Sequence, residues 1–219
     1  MFTNLVIDIS HYQGLVDFDS VVNEPIAGVI CKASFGITGR DNTYPIREPQ
    51  AKASGLLWGA YHFGTGEGTG QAQAQNFLTA INFDGSTQDL IALDFEPNTD
   101  ANGNALGPTM TLDQARGFVT SIFQSVGRYP LIYSNHFLAA QLQGNADSVL
   151  SNCPLWIAEY MLSPAALPTV PAGWDNWTLW QYTDGAVGQL PHTVLGIGGC
   201  DRDYYIGSAD DLRNRWPLS

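Results

Sequence analysis

Five times in succession along the chain, an apolar run of strand length is followed by a segment with helical spacing. That alternation is the pattern of a parallel β-sheet covered by helices. The expected strands are residues 5–9, 27–33, 56–63, 90–93 and 130–134. Between and after them fall expected helices at 18–22, 43–54, 71–81 and 137–143, with another opening at Thr111 and ending at Gly127. The 43–54 helix is stopped by Gly55, and the 71–81 helix carries Ala74, Phe77, Leu78 and Ile81 on one face. Thr111-Leu112-Asp113-Gln114 reads as a capping box ahead of a stripe of Ala115, Phe118, Val119, Ile122 and Val126. After residue 143 the pattern changes. Residues 155–158, 177–182 and 194–200 read as strands, but Pro-, Gly- and Ala-rich links replace the helices, and a helix at 208–215 closes the chain. The fold class is therefore α/β, a TIM-like barrel whose last third is irregular. With 219 residues, no internal repeat and no linker, residues 1–219 form a single expected domain.

The fourth strand carries the most pointed chemistry. Residues 90–97 read LIALDFEP, an apolar run of the kind buried on both faces, ending on Asp94 and Glu96 with Phe95 between them. Residues i and i+2 of a strand face the same side with Cα atoms about 6.6 Å apart, so both carboxylates project into one space. Two carboxylates held that close do not both ionise cheaply, and one pKa should rise to supply an acid near neutrality. A strand-end Asp capping a loop beside a solvent-facing Glu gives the same three letters, so the pair needs support from elsewhere in the chain.

Composition removes several partners. The 9 basic against 21 acidic residues give a net charge of −12, and no basic run offers phosphate contacts, so no nucleic acid and no anionic membrane is expected as a partner. No apolar stretch approaches the roughly 18 residues of a membrane span. The opening MFTNLVIDIS has neither a charged start nor a long apolar stretch and shows no signal peptide. Synthesis in the cytoplasm with release by a holin or another export route is the corresponding expectation. Cys31, Cys153 and Cys200 are widely spaced, with no C-x-x-C pair. Cys31 and Cys153 lie in or beside apolar runs and read as small core residues. No cofactor and no metal are expected, since neither a zinc-ligand helix nor a phosphate loop is present. The glycine-rich residues 64–70 read as flexible linker, and residues 98–109 as a surface excursion over a strand end.

In a barrel of this kind chemistry gathers at the C-terminal ends of the strands. Asp8, Tyr61, His62, Asp94, Glu96, Tyr133, Trp156, Glu159, Gln181, Tyr182 and Asp201 fall there. Asp8, Asp94, Glu96 and Asp201 are the catalytic candidates, and Tyr61, Tyr133, Trp156, Gln181 and Tyr182 the substrate-binding ones. Four carboxylates around a cavity could also hold a divalent ion, but the aromatic lining suits sugar faces better. His62 reads as a histidine hydrogen-bonded within the core rather than a proton shuttle, and Trp58 and Trp216 as packing residues.

The order of these segments carries a family resemblance. Asp8-Ile9-Ser10-His11-Tyr12-Gln13-Gly14 resembles the opening D-x-S-x-x-Q-G motif of glycoside hydrolase family 25, the Chalaropsis-type lysozymes. Gly59-Ala60-Tyr61-His62-Phe63 resembles that family's third strand, and Leu93-Asp94-Phe95-Glu96 its catalytic D-x-E. Pro130-Leu131-Ile132-Tyr133, Leu155-Trp156-Ile157-Ala158-Glu159-Tyr160 and Leu179-Trp180-Gln181-Tyr182 follow in the family's order. Two positions depart from the pattern. Phe35 stands where the family often has Glu, and Asp203, in Cys200-Asp201-Arg202-Asp203, stands where it usually has Asn.

The resemblance implies a (β/α)5β3 barrel, a monomer acting on the glycan strands of peptidoglycan, and hydrolysis with retention of the β-1,4 bond between N-acetylmuramic acid and N-acetylglucosamine. It implies Glu96 as acid and base. Asp94 then either steadies the substrate's acetamido group or acts as nucleophile, and Asp8 and Asp201 hold the substrate. An endolysin fits this reading. A barrel that binds glycan without cutting it, and an endo-chitinase-like hydrolase, are the alternatives.

Overall fold

Alternation within each strand, more than the strands themselves, decides where side chains go. The computed structural model describes residues 2–100, 102–163 and 166–218. Ala101, in the expected 98–109 excursion, and Pro164 and Ala165, in a Pro- and Ala-rich link, lie outside the described residues. Eight strands close a barrel: β1 (Thr3–Ile9), β2 (Gly28–Phe35), β3 (Leu57–Phe63), β4 (Leu90–Asp94), β5 (Leu131–Ser134), β6 (Leu155–Ala158), β7 (Leu179–Thr183) and β8 (Asp201–Tyr205). Neighbours from β1 to β7 run parallel, and β8 closes the ring antiparallel to both β7 and β1.

Helices α1 (Phe18–Val21), α2 (Tyr44–Ala53), α3 (Gly70–Ala80), α4 (Leu112–Val126) and α5 (His136–Leu142) follow the first five strands, and α6 (Ala209–Arg215) follows the last. Among the described residues no helix follows β6 or β7, in keeping with the irregular last third. Among the described residues no helix is long and apolar enough to cross a membrane.

Period-two alternation sorts the buried residues into two layers. Ile91 and Leu93 of β4, Ile132 of β5, Ile157 of β6 and Trp180 and Tyr182 of β7 join the layer beneath the helices. Leu90 and Ala92, Leu131 and Tyr133, Trp156 and Ala158, and Leu179 form the second cluster, inside the barrel. Continuing the inner parity to the strand ends brings Asp8, Lys32, Tyr61, Asp94, Tyr133 and Gln181 to one mouth.

Two expectations are corrected. Residues 194–200 are not a barrel strand. Thr193–Val194 and Gly198–Gly199 pair as a small hairpin, and the barrel strand starts at Asp201. Asp201 still reaches the mouth because β8 runs the opposite way, with Asp201 opposite Asp8. The glycine-rich loop is also no loose linker. Gln73 donates to the carbonyls of Thr65 (2.7 Å) and Glu67 (3.0 Å), and Gln114 to those of Gly66 (3.0 Å) and Gly68 (2.7 Å). Both amides come from helices and replace hydrogen bonds that a loop cannot make to itself.

Gln114 is also the reciprocal half of the Thr111 capping box that starts α4. The helix ends at Gly127, whose φ of +81° suits glycine.

Helices α3 and α4 pack closely through Gly70. A Cβ there would meet the carbonyl oxygen of Gln114 and the backbone nitrogen of Phe118. Gly70→Ala is therefore expected to destabilise by about 2–4 kcal/mol, outweighing alanine's helix preference of about 1 kcal/mol. Gly117→Ala, whose nearest neighbour would be the Gly70 Cα at 3.6 Å, should cost little. Urea unfolding checks both, and an unchanged midpoint for Gly70→Ala would refute the close approach.

Candidate active site

The D-x-E strand end is fixed by its own backbone. Asp94 ends β4 and its carbonyl accepts from Gly64 N (2.9 Å), while Phe95 N donates to the Tyr133 carbonyl (2.9 Å). Ser134 Oγ donates to the Phe95 carbonyl (2.6 Å), and the buried Phe95 ring packs on Phe137 (5.2 Å). With Phe95 turned into the outer layer, Asp94 and Glu96 both line the cavity at the barrel mouth. Asn135 donates to Glu96 Oε2 at a long 3.5 Å. Its Oδ1 is already used as the N-cap of α5, accepting from Phe137 N (2.8 Å), so the amide nitrogen is the end left facing Glu96.

Gln181 organises the opposite wall. Its Oε1 accepts from the hydroxyls of Tyr133 (2.9 Å) and Tyr160 (2.7 Å). Its Nε2 donates to Asp8 Oδ2 (2.8 Å) and Asp201 Oδ2 (3.2 Å). Two hydroxyl donors on one end and two carboxyls on the other settle which way the amide points. Trp156 Nε1 donates to Asp203 Oδ1 (2.6 Å), and the indole meets Tyr133 edge-on at 4.8 Å.

Most of the residues expected at the site come together. Asp8, Tyr61, Asp94, Glu96, Tyr133, Trp156, Gln181 and Asp201 line one cavity. Tyr133 and Trp156 are only 9% and 2% exposed, so they form its floor rather than an open platform. Tyr182 is not among them. One residue past the inward Gln181, it points into the outer layer, where its hydroxyl accepts from Asn4 Nδ2 (2.7 Å). His62 is likewise outward and fully buried between Ser34 Oγ (2.8 Å) and Gln73 Oε1 (3.1 Å), stacked on Phe118 at 5.1 Å. Glu159 accepts from Thr169 N (2.7 Å) and lines a neighbouring pocket.

Lys32, Asn135 and Tyr12 were missed as site residues. Lys32 is the one lysine or arginine among the residues lining the groove, its ammonium 4.5 Å from the Phe63 ring and 5.6 Å from that of Phe35. Tyr12 and Phe35, 82% and 43% exposed, stand at the groove edge. Tyr12 is held there by the opening motif. Ser10 and Gln13 form a capping box, Gly14 takes a φ of +56°, and Arg47 donates to the carbonyls of Ser10 and Gly14 (both 2.7 Å). The parity of Lys32 on β2 and the N-cap position of Asn135 were the signals that could have found those two.

The groove has a volume of about 670 Å³, and Glu96 lines both it and a second pocket of about 430 Å³. Electrostatics follow from this crowding. Burial pushes Glu96 up to about 7, opposed by Lys32. Burial and then the Glu96 charge raise Asp94 well above the ordinary carboxylate range. Burial, then Asp8, pushes Asp201 up to about 9. The Asp94–Glu96 pair therefore retains a proton near neutrality. Among the described residues no group of three or more His, Cys, Asp or Glu side chains is arranged to hold a metal ion.

A carboxyl pair that keeps its proton beneath an aromatic-rimmed groove suits the cleavage of glycosidic bonds, and comparison with known proteins places the chain among the glycoside hydrolases. The model of Glycosyl hydrolases family 25 matches residues 7–189, and the chain belongs to that family. It is 30% identical over 213 residues to lysozyme M1 of Streptomyces globisporus, covering 94% of this chain and 69% of that one. It is 28% identical over 216 residues to the N,O-diacetylmuramidase of Chalaropsis sp, covering 94% and 95%. The structure superposes on the bacterial lysozyme from Streptomyces coelicolor with a TM-score of 0.78 at 28% identity, covering 96% and 95% of the two chains. The muramidase from Trichobolus zukalii gives 0.76 at 30% identity, covering 97% and 98%. The expected irregular barrel fits these neighbours.

The raised carboxyls make stability depend on pH. Asp201 holds a proton in the folded chain up to about 9, whereas unfolded it ionises near about 4, so its contribution is full below about pH 4 and lost as pH rises toward 9. His62, pushed down to about 3 by burial, acts in the opposite sense, with stability full above about pH 6.5 and lost toward pH 3. The melting temperature should therefore peak in the mildly acidic range and fall toward pH 9, and Asp201→Asn should flatten the alkaline fall. Circular dichroism melts across that range check this. Equal slopes for the variant and the wild type would contradict it.

Proposed function

We propose that the chain is a muramidase that cuts the β-1,4 bond after N-acetylmuramic acid in peptidoglycan with retention, working on the bacterial cell wall as one catalytic barrel. The observation that carries the residue roles is that Glu96 lines both the groove and the second pocket, with Asp94 lining the groove beside it. A glycan lying along both pockets passes its glycosidic oxygen over Glu96. Family membership supports the substrate class.

Glu96 is the general acid. Burial raises its pKa to about 7, so near neutrality it can carry the proton of the pair and donate it to the leaving oxygen as the glycosidic bond breaks. Asp94 Oδ1 is buried without a hydrogen-bond partner, which leaves it free to accept the N–H of the substrate's acetamido group. That donor stabilises the ionised form of Asp94, and the proton shared by the pair then settles on Glu96.

The acetamido carbonyl oxygen attacks the anomeric carbon and forms a cyclic oxazolinium, whose positive charge the Asp94 carboxylate offsets. Glu96, now ionised, takes a proton from water, and the oxygen of that water opens the ring. The two displacements return the original anomeric configuration. Asp8 and Asp201, held by Gln181, face the same space and bind the sugar hydroxyls, with Tyr61, Tyr133 and Trp156 as the floor.

Glu96→Gln keeps the shape and removes the transferable proton, so lysis of purified cell walls should fall by about 10²–10⁴-fold or more while the melting curve stays cooperative. Near-normal lysis would remove Glu96 from the mechanism, and faster cleavage of soluble chitin oligomers than of cell walls would replace the substrate.

Asp94→Asn keeps a hydrogen-bonding group but loses the charge, and should lower kcat far more than it raises KM. Mass spectrometry of wild-type enzyme quenched with a slow fluorinated substrate should find no sugar attached to Asp94. A stable adduct there would make Asp94 the nucleophile, and an inverted product would overturn both routes.

A further inference from the structure

Beneath the residues assigned to catalysis lies one more carboxyl, that of Asp203, beyond the segment matched by the family model. It is fully buried. On β8 it stands opposite Gln181 of β7 and Val6 of β1, two residues from Asp201 on the same inward face. Oδ1 accepts from Trp156 Nε1 at 2.6 Å. Oδ2 is buried with no partner among the fixed donors. The carboxyl of Asp8 lies on the same inward face of the neighbouring strand, two residues from the Val6 that pairs with Asp203, and Gln181, which stands opposite Asp203, donates to Asp8 Oδ2 (2.8 Å).

The surroundings offer Asp203 little compensation. Asp8 faces it from β1, Asp201 from its own strand, and the neutral Trp156 and Gln181 from β6 and β7. Asp94, Tyr61 and Tyr133 face Asp8 across the cavity, and the buried Cys200 thiol lies nearby. Arg202, whose charge acts on Asp203 more weakly than burial, Trp156 and Asp201 do, donates to the Thr193 carbonyl (2.7 Å) and pairs with Glu24 (3.6 Å). Lys32 lines the groove above.

Two carboxyls side by side in such a place cannot both be ionised without two buried charges repelling and the orphan oxygen left bare. A proton carried between them removes the repulsion and satisfies the orphan oxygen. An amide at position 203 would donate to Asp8 at every pH. A carboxyl does so only while it or Asp8 keeps its proton.

We propose that Asp203 is a positioning residue that shares a proton with Asp8, so that Asp8 is held in its substrate-binding position only while that proton is retained. The inference rests on the muramidase reading of this groove. Loss of the proton places two adjacent anions under the site. Asp8 is then driven from Asp203, and its bond to Gln181 is strained along with the bridge to Asp201. Burial first, and then the charge of Asp203 on Asp8 and of Asp201 on Asp203, set this loss well above the ordinary carboxylate range. Substrate binding should therefore weaken as pH rises, apart from any titration of Glu96.

The test uses the full chain carrying Glu96→Gln, which removes Glu96 from the titration and prevents turnover. Binding of a muramoyl-containing cell-wall oligosaccharide is followed by calorimetry from pH 6 to pH 10. The expected result is an affinity that falls by about tenfold or more toward alkaline pH, since one pH unit past the loss of a required proton costs about tenfold. Adding Asp203→Asn should make the fall at least about tenfold smaller, leaving only the change that the ionisation of Asp201 at about 9 brings. Parallel falls in the two proteins, or no fall in the first, overturn the proposal.

Should the Asp203→Asn protein not fold, Trp156→Phe in the same background decides. Removing the indole donor disfavours ionised Asp203, so the fall should move to higher pH, and an unmoved midpoint overturns the proposal. Failure of the muramidase reading looks different, with no oligosaccharide bound at any pH and no lysis of cell walls by the wild type.

Discussion

Five carboxyl groups, those of Asp8, Asp94, Glu96, Asp201 and Asp203, are gathered at one end of a barrel whose groove has Lys32 as the one lysine or arginine in its lining. In bulk water such a cluster would ionise and fly apart. Here burial makes ionisation costly, so protons are retained and repulsion is reduced. The carboxyls gathered at the mouth are thus the groups least suited to a stable fold at neutral pH. The remaining structure holds them where solvation would not.

The restraint is supplied by neutral donors rather than by counter-charges. Gln181 joins two tyrosine hydroxyls to Asp8 and Asp201, Trp156 anchors Asp203, and Asn135 reaches Glu96 from the cap of α5. Counter-charges would stabilise the anions more strongly, but they would also pull the pKa values down and remove the acid. Amide and indole groups fix position while leaving protonation near neutrality within reach.

Strand direction completes the arrangement. Had β8 run parallel to its neighbours, Asp201 at its first position would lie at the closed end of the barrel. There Trp216 instead donates to the Trp58 carbonyl and packs against Gly28. Antiparallel closure puts Asp201 opposite Asp8 and Asp203 opposite Gln181, so a strand without a preceding helix brings two carboxyls to the mouth. Among the described residues no helix follows β6, and Glu159, Tyr160, Thr169 and Pro171 from β6's C-terminal side line the second pocket with Glu96.

By itself the sequence determined what depends on near neighbours along the chain. Strand and helix alternation, the Thr111–Gln114 cap, the paired orientation of Asp94 and Glu96 and the buried character of His62 all follow from periods of two and 3.6 residues and from local hydrogen bonding. Only the tertiary structure decided the rest. Residues 194–200 have strand composition but turn back as a hairpin, because the pairing that closes the barrel falls on residues 201–205. Tyr182 has the chemistry of a sugar contact but the wrong parity, fixed by the inward turn of Gln181. The glycine-rich loop is pinned by two glutamines from different helices, which no local pattern announces. Asp203 reads in sequence as one more charge, and its role depends on partners at Trp156 and Asp8, far away along the chain. Local geometry repeats every few residues and is written in spacing, whereas a buried polar network is satisfied by whichever distant groups the closed barrel brings within hydrogen-bonding reach.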